Sequence, residues 1–134
     1  LVEKIIKADQ SVQEVQPEVS ENIISGQTAT QLISMLVSVI ENGFSKKAKI
    51  AGYYLAGKTG TAQVSWSALG LDKAGFSDKT IHSFIGFGPA YNAQFLILVK
   101  LDNPETKTAE YSALPIFRQL AEYIIDYLQI PPDY

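Results

Sequence analysis

Apolar side chains repeat at helical spacing in two stretches of the chain, at about residues 27–42 and 113–128. Ser25 precedes the first stretch as an N-cap residue, and Gly43 follows it as a stop signal. Pro115 suits the beginning of the second stretch, because a first-turn residue needs no backbone N–H donor. The pattern therefore predicts two amphipathic helices. Their apolar positions are Ala29, Leu32, Ile33, Leu36, Val37 and Ile40, and then Leu114, Phe117, Ala121, Ile124, Ile125 and Leu128.

Between these helices, alternating or continuous apolar runs predict three strands at about residues 53–64, 81–87 and 94–101. The third run is almost entirely apolar, which is typical of a strand that is buried on both faces. Residues 66–79 contain Gly, Ser and Asp, and they are numerous enough to form a loop beside a cleft.

Two shorter β-rich segments, residues 1–8 and 12–16, flank a turn at the beginning of the chain. The complete element order is then β-β-α-β-β-β-α, in which three consecutive strands form a meander. This order predicts an α+β fold, an antiparallel sheet with helices packed on it. We expect both helices to cover the same face of the sheet, since they flank one contiguous meander.

The composition narrows the possible functions. The chain has 134 residues, 46% of them apolar, and a net charge of -3 without a basic stripe, so nucleic acid is not an expected partner. Cysteine is absent and His82 is the only histidine, which excludes disulfides, thiolate metal sites and a zinc cluster of histidines. We expect no metal and no cofactor. The longest apolar run, Phe95–Val99, is too short to span a membrane.

The chemistry is concentrated in the stretch Ala56-Gly57-Lys58-Thr59-Gly60-Thr61-Ala62-Gln63. Lys58 provides an ammonium group, and the hydroxyls of Thr59 and Thr61 can donate hydrogen bonds to a carboxylate. The neighbouring glycines lack a Cβ, so a ligand can approach the backbone closely. These residues predict an anion-recognition site.

Two short patterns fit this stretch. Gly52–Thr59 matches the phosphate-loop pattern G-x-x-x-x-G-K-[ST], and a strand that ends at Asp102 could supply the magnesium ligand of a nucleotide-binding domain. Lys58-Thr59-Gly60 instead matches the Lys-Thr-Gly element of penicillin-binding proteins and serine β-lactamases. The phosphate loop is disfavoured, because the preceding segment is too charged for a buried strand and Gly60 is a poor first residue for a helix.

Four blocks, taken together and in order, resemble the C-terminal part of a class B, monofunctional penicillin-binding protein transpeptidase domain. They are Lys58-Thr-Gly-Thr-Ala-Gln63, His82-Ser-Phe-Ile-Gly-Phe-Gly-Pro89, the helix pattern from Thr28 to Gly43, and the closing segment from Ala113 to Pro132. The resemblance covers nearly the whole chain and implies the serine β-lactamase/transpeptidase-like fold. It also implies an enzyme that cross-links peptidoglycan stem peptides through a serine acyl-enzyme and that binds β-lactam antibiotics.

The resemblance assigns a role to each residue of the motif. Lys58 would set the electrostatics of the cleft and polarise the family's upstream serine, while Thr59 and Thr61 would bind the terminal carboxylate of the substrate. The backbone N–H of Thr61 would supply half of an oxyanion hole. Lys58 and Thr61 are therefore the catalytic candidates, and Lys58, Thr59, Gly60 and Thr61 the substrate-binding ones. The substrate would lie along this strand as an added strand.

The chain departs from the family pattern at its nucleophile, because no serine is followed three residues later by lysine. Ser20-Glu21-Asn22 formally matches the Ser-x-Asn motif, but it directly precedes the first helix and is better explained as a turn. Since the chain begins at Leu1 rather than at methionine, we expect residues 1–134 to be the C-terminal portion of the domain, inactive without the upstream catalytic half. The missing N-terminal part of the domain is thus itself a predicted partner.

The expected location of the full-length protein is the extracytoplasmic, periplasmic face of the bacterial inner membrane, with a membrane anchor upstream of this chain. A non-catalytic relative that keeps the fold as an interaction module is the remaining alternative. We expect His82, on the neighbouring strand, to be packed rather than catalytic.

Overall fold

The computed structural model describes residues 4–16 and 23–134. The order of its helices and strands confirms the predicted one, and short 3-10 turns lie at Lys46–Ala48, Ser67–Leu69 and Ala109–Tyr111. The principal elements are β1 (Lys4–Ile6), β2 (Val12–Glu14), α1 (Gly26–Glu41), β3 (Ala56–Ser65), β4 (Phe76–Gly88), β5 (Phe95–Asp102) and α2 (Ala113–Leu128). Neither α-helix in the described residues is both long and apolar enough to cross a bilayer.

The central sheet is an antiparallel meander in the order β3-β4-β5. Its register places Lys58 opposite Ile85, and Ile85 opposite Leu98. β1 and β2 form a separate exposed hairpin around a turn in which the Asp9 carboxylate accepts hydrogen bonds from Ser11. The predicted α+β class, with an antiparallel sheet and helices packed on it, is confirmed.

The first face of the sheet packs against α2. The rings of Phe84 and Phe117 lie 4.6 Å apart at an interplanar angle of 46°, and both side chains are completely buried. A Cβ at Gly86 would lie 2.6 Å from the Phe117 ring, and a Cβ at Gly57 would lie 2.8 Å from the Phe84 ring. Both glycines are therefore needed for this close packing, because a side chain at either position would displace an aromatic ring.

The second face of the sheet packs against the middle of α1. Ala56 pairs with Phe87, and both belong to the face opposite Phe84 because side chains alternate along a strand. This face forms a cluster of Val37, Ala56 and Ala90 with Ile33, Leu36, Tyr54 and Phe87. The prediction that both helices cover the same face is wrong. Among the residues of α1, only Ile40 belongs to the larger cluster around Phe84 and Phe117. After α1 the chain turns back, so that the Lys46–Ala48 turn lies near α2.

The predicted burial of β5 on both faces is also wrong for the described residues. Phe95, Ile97, Val99 and Leu101 pack in the core beneath α2. The alternate side chains of Leu96 and Leu98 are 67% and 64% exposed, and Ile85 beside them is 46% exposed. We call these three residues the bare face, since no described element covers them. An apolar run on both sides of a strand normally indicates cover on both sides.

The observed beginnings of β3 and β4 differ from the predicted ones for reasons that local sequence does not reveal. β3 begins at Ala56 rather than at residue 53, because the preceding residues are tied to the C-terminal tail. The Tyr53 hydroxyl donates to the Ile130 carbonyl at 2.7 Å, and the Tyr54 N–H donates to Asp133 Oδ2 at 2.8 Å.

β4 begins at Phe76, so the connection is shorter than the predicted 66–79. The buried Ser77 hydroxyl donates to the Val64 carbonyl at 2.7 Å and extends the hairpin.

The predicted helix caps agree with the structure. Ser25 Oγ accepts a hydrogen bond from the Thr28 N–H at 3.1 Å, which satisfies one of the free donors at the beginning of α1. At the other end, a Cβ on Gly43 would lie 2.7 Å from the Val39 carbonyl oxygen. A residue without a side chain is therefore required where the chain leaves α1.

Candidate functional site

The Lys58–Thr61 stretch lies in the middle of β3, which is an edge strand of the described sheet. In an antiparallel pair, every second residue directs its N–H and C=O away from the partner strand. Within the described residues, the outer side of β3 has no strand paired to it. These backbone groups can therefore form a ladder with an extended peptide.

The functional side chains of the stretch divide between the two faces. Lys58 and Gly60 belong to the second face, and Thr59 and Thr61 to the first. Lys58 is exposed, and its Nζ donates to the Thr59 carbonyl oxygen at 3.0 Å. No carboxylate of the described residues lies within 4.0 Å of this ammonium group. A ligand on the edge of β3 is thus bracketed by an ammonium group on one side and two hydroxyls on the other.

Gly60 keeps the second face of the edge open. A Cβ at this position would lie 2.6 Å from the Ser83 Oγ on β4, so any side chain would have to displace that hydroxyl. The absence of a side chain also leaves room for a ligand next to Lys58.

On the first face, the edge is joined to the segment before α2. The Ala109 N–H donates to Thr61 Oγ1 at 3.3 Å. This contact closes one side of a pocket of about 280 Å³ whose lining includes Phe44. The other lining residues are Thr59, Thr61, Thr108, Ala109 and Glu110. Sequence reasoning missed Phe44, Thr108, Ala109 and Glu110, and the only local signal was an isolated aromatic residue before a basic loop.

His82 is completely buried on β4, opposite Thr61. Its Nδ1 lies 2.8 Å from the Ser112 hydroxyl, and its Nε2 lies 3.0 Å from the Thr80 hydroxyl. Both ring nitrogens are therefore satisfied inside the core. The prediction that this histidine is a packed residue is confirmed.

The phosphate-loop alternative is wrong. Lys58 lies within a strand, whereas a phosphate loop would place it at the N-terminus of a helix. Asp102 lies on β5, two strands from Lys58, and is four residues beyond Leu98, the β5 residue level with Lys58. Their Cα atoms are therefore roughly 17 Å apart. Asp102 forms an ion pair with Lys100 instead. Ser20-Glu21-Asn22 lies outside the described residues.

The comparison with known families agrees with this geometry. The profile described as the penicillin binding protein transpeptidase domain matches residues 1–122. The chain belongs to the penicillin-binding protein transpeptidase family. The Lys58-Thr59-Gly60 stretch is consequently this family's Lys-Thr-Gly element, and the predicted resemblance is confirmed.

The chain matches curated members of the transpeptidase family over only a small part of their length. A peptidoglycan D,D-transpeptidase FtsI homolog of Chlorokybus atmophyticus is 32% identical over 115 residues, which are 84% of this chain and 16% of that protein. Stage V sporulation protein D of Bacillus subtilis is 35% identical over 95 residues, which are 71% of this chain and 14% of that protein. The chain therefore spans about one sixth of the length of these relatives.

Solved transpeptidase structures share the fold. The transpeptidase domain of penicillin-binding protein 3 from Burkholderia pseudomallei has a TM-score of 0.73 at 28% identity, covering 89% of this chain and 35% of that one. Penicillin-binding protein 3 from Mycobacterium tuberculosis, determined in complex with ampicillin, has a TM-score of 0.73 at 27% identity. That match covers 98% of this chain and 30% of the other. About two thirds of each solved chain thus has no counterpart here.

Proposed function

We propose that the chain is the C-terminal portion of a serine D,D-transpeptidase domain and provides its substrate-binding strand. The observation that carries this proposal is the Lys58–Thr61 stretch on an unpaired strand edge, in a chain that belongs to the transpeptidase family. The name of the Chlorokybus atmophyticus relative supports peptidoglycan as the substrate, and the family resemblance implies that its stem peptides are the part bound. The ampicillin and aztreonam complexes of the Mycobacterium tuberculosis relative support β-lactams as ligands.

The remainder of the domain would supply the nucleophilic serine and its base. The serine Oγ would bond to the carbonyl carbon between the two terminal D-alanines, and the C–N bond would break to release the last D-alanine with the proton from the serine. The amine of a second stem peptide would then attack the acyl-enzyme, giving up its proton and restoring the serine hydroxyl. Every atom of the cross-link comes from the two peptides, so no cofactor is required.

Within this scheme, the chain binds and orients the peptide. Thr59 and Thr61 donate hydrogen bonds to the terminal carboxylate, and Lys58 adds a positive charge next to it and polarises the serine hydroxyl. The backbone N–H of Thr61 donates to the carbonyl oxygen as it becomes negative. Gly60 allows the peptide to approach the backbone closely enough to pair with it.

The bare face supports the proposal that more of the domain packs on this sheet. Ile85, Leu96 and Leu98 form a contiguous apolar surface on neighbouring strands, at the second face of the sheet. We propose that the upstream part of the domain covers it, and that an anchor further upstream holds the intact protein at the periplasmic face of the bacterial inner membrane.

Labelling with a fluorescent penicillin tests the proposed function. We expect the intact protein to form a covalent adduct that survives denaturing electrophoresis, and residues 1–134 alone to form none, because an activated nucleophile needs its base within hydrogen-bond reach. Boiled intact protein is the control for nonspecific labelling. An intact protein that folds but does not react would instead indicate a non-catalytic interaction module.

Substitutions at the bare face test its proposed cover. In residues 1–134, the double change Leu96→Thr and Leu98→Thr is expected to reduce self-association, measured by light scattering, since it removes an exposed apolar patch. In the intact protein, the same change is expected to lower the melting temperature by several degrees, because it places two hydroxyls in a covered interface. Phe76→Thr, at an exposed position of the β3–β4 hairpin, is the matched control. An unchanged melting temperature of the intact double variant would contradict the proposed cover.

A further inference from the structure

Phe44 is 91% exposed, which makes it the most exposed large apolar side chain of the described residues. It directly follows Gly43, where the chain turns out of α1. The turn places Phe44 at the wall of the 280 Å³ pocket beside Thr59 and Thr61, which we call the Phe44 pocket. A ligand that covers an exposed aromatic ring removes apolar surface from water. An exposed ring next to the proposed ligand-binding strand therefore strengthens the binding of a ligand that reaches it.

The position of the Phe44 pocket relates it to the carboxylate site. Thr59 and Thr61 line this pocket, and they are also the two residues proposed to bind the ligand carboxylate. A substituent at or next to the carbon that bears the carboxylate must therefore lie at the mouth of the pocket. In a stem peptide this substituent is the methyl group of the terminal D-alanine.

The wall of the Phe44 pocket favours a neutral group. Besides Phe44, the lining includes Thr59, Thr61, Thr108 and the buried Ala109, none of which carries a charge. Glu110 is the only acidic residue of the lining, and its carboxylate is paired with Lys47 at 3.5 Å. The Lys47 ammonium also lies 3.7 Å from the centre of the Tyr111 ring. The negative charge of Glu110 is thus offset by the Lys47 ammonium group.

The pocket is also much larger than a methyl group. Its volume of about 280 Å³ is about nine times the ~30 Å³ that one water molecule occupies in the liquid. A single methyl group leaves most of that space to water, and a planar ring fills much more of it.

We propose that the Phe44 pocket binds a neutral, planar apolar group carried at or next to the carboxylate-bearing carbon of the ligand. This inference rests on the proposed function, since it takes the carboxylate position from Thr59 and Thr61. Phe44 is then a specificity-determining residue: it distinguishes β-lactams by the substituent beside their carboxylate and does not contact the reacting carbonyl.

Two cephalosporins that share a core and an acyl side chain test this inference in the intact protein. One carries methyl at the 3-position, next to the carboxylate-bearing carbon, and the other carries phenyl. Phe44→Ala is expected to lower the second-order acylation rate constant for the phenyl compound about tenfold, through lost ring contacts, and that for the methyl compound less than twofold. Phe44→Tyr, which keeps the ring, is expected to restore the rate for the phenyl compound.

Tyr91→Ala is the matched control, because it removes an exposed aromatic side chain in the turn between β4 and β5. It should change neither rate constant. Equal rate losses for both compounds in Phe44→Ala, or no loss for the phenyl compound, would overturn the assignment of the pocket while leaving the proposed function intact. If neither compound acylates the unsubstituted protein, the proposed function itself fails, and the inference fails with it.

Discussion

Replacing Lys58 by alanine in the intact protein is expected to slow acylation by penicillin by about 10²–10³-fold. This is the size of effect seen when one preorganised electrostatic group is removed from an acyl-transfer site. Lys58 is exposed on β3, and no carboxylate of the described sheet and helices neutralises it within 4.0 Å. Its charge is therefore available to a ligand on the edge of β3 and to the serine that we propose for the rest of the domain. The measurement is the second-order rate constant of acylation.

Lys100→Ala provides the matched control for Lys58. Lys100 lies on β5, its side chain is 53% exposed, and it belongs to the same face of the sheet as Lys58. Its removal changes the net charge equally, so a purely long-range charge effect predicts equal losses in both variants. A loss confined to Lys58→Ala identifies a local role. Lys58→Arg should recover part of the rate, because it keeps the charge but presents it from a planar group.

The two helices and the site stretch were predictable because their signals are local. α1 and α2 each have an apolar stripe at a 3.6-residue period, and most of its members are buried or half-buried, whereas Leu32 and Leu128 stay exposed. The stripe does not determine which face of a sheet it meets, so the expectation that both helices share one face failed. That choice depends on the path of residues 42–55, where the 3-10 turn at Lys46–Ala48 lies near α2.

The start of β3 was not predictable from its neighbours in sequence. Tyr53 and Tyr54 have the aromatic character of strand residues, but their hydrogen bonds go to Ile130 and Asp133, which are 77 and 79 residues away. Phe44 was missed for a similar reason. Its sequence context is a basic loop, and its proximity to Thr59 and Thr61 arises only when α1 packs beside β3.

The sequence of β5 predicts burial that the structure does not show, and this difference indicates where, as we propose, another part of the domain packs. Its pattern predicts cover on both faces, yet Leu96 and Leu98 are exposed. Propensity does not require leucine at exposed strand positions. The disagreement is removed if the rest of the transpeptidase domain packs there, so the sequence pattern and the partial coverage of the relatives support the same proposal.

Replacing Phe117 by alanine is expected to have the largest effect on stability. The ring is fully buried between α2 and the first face of the sheet, where it contacts Phe84 and fills the space above Gly86. Since Gly86 has no side chain to move into the gap, the cavity cannot collapse readily. We expect the free energy of unfolding to fall by about 3–5 kcal/mol, measured by urea denaturation with circular dichroism. Phe44→Ala deletes the same atoms from a ring that is 91% exposed, and it should change the free energy of unfolding by less than about 0.5 kcal/mol. Similar losses in the two variants would show that the ring of Phe117 is not the centre of this core.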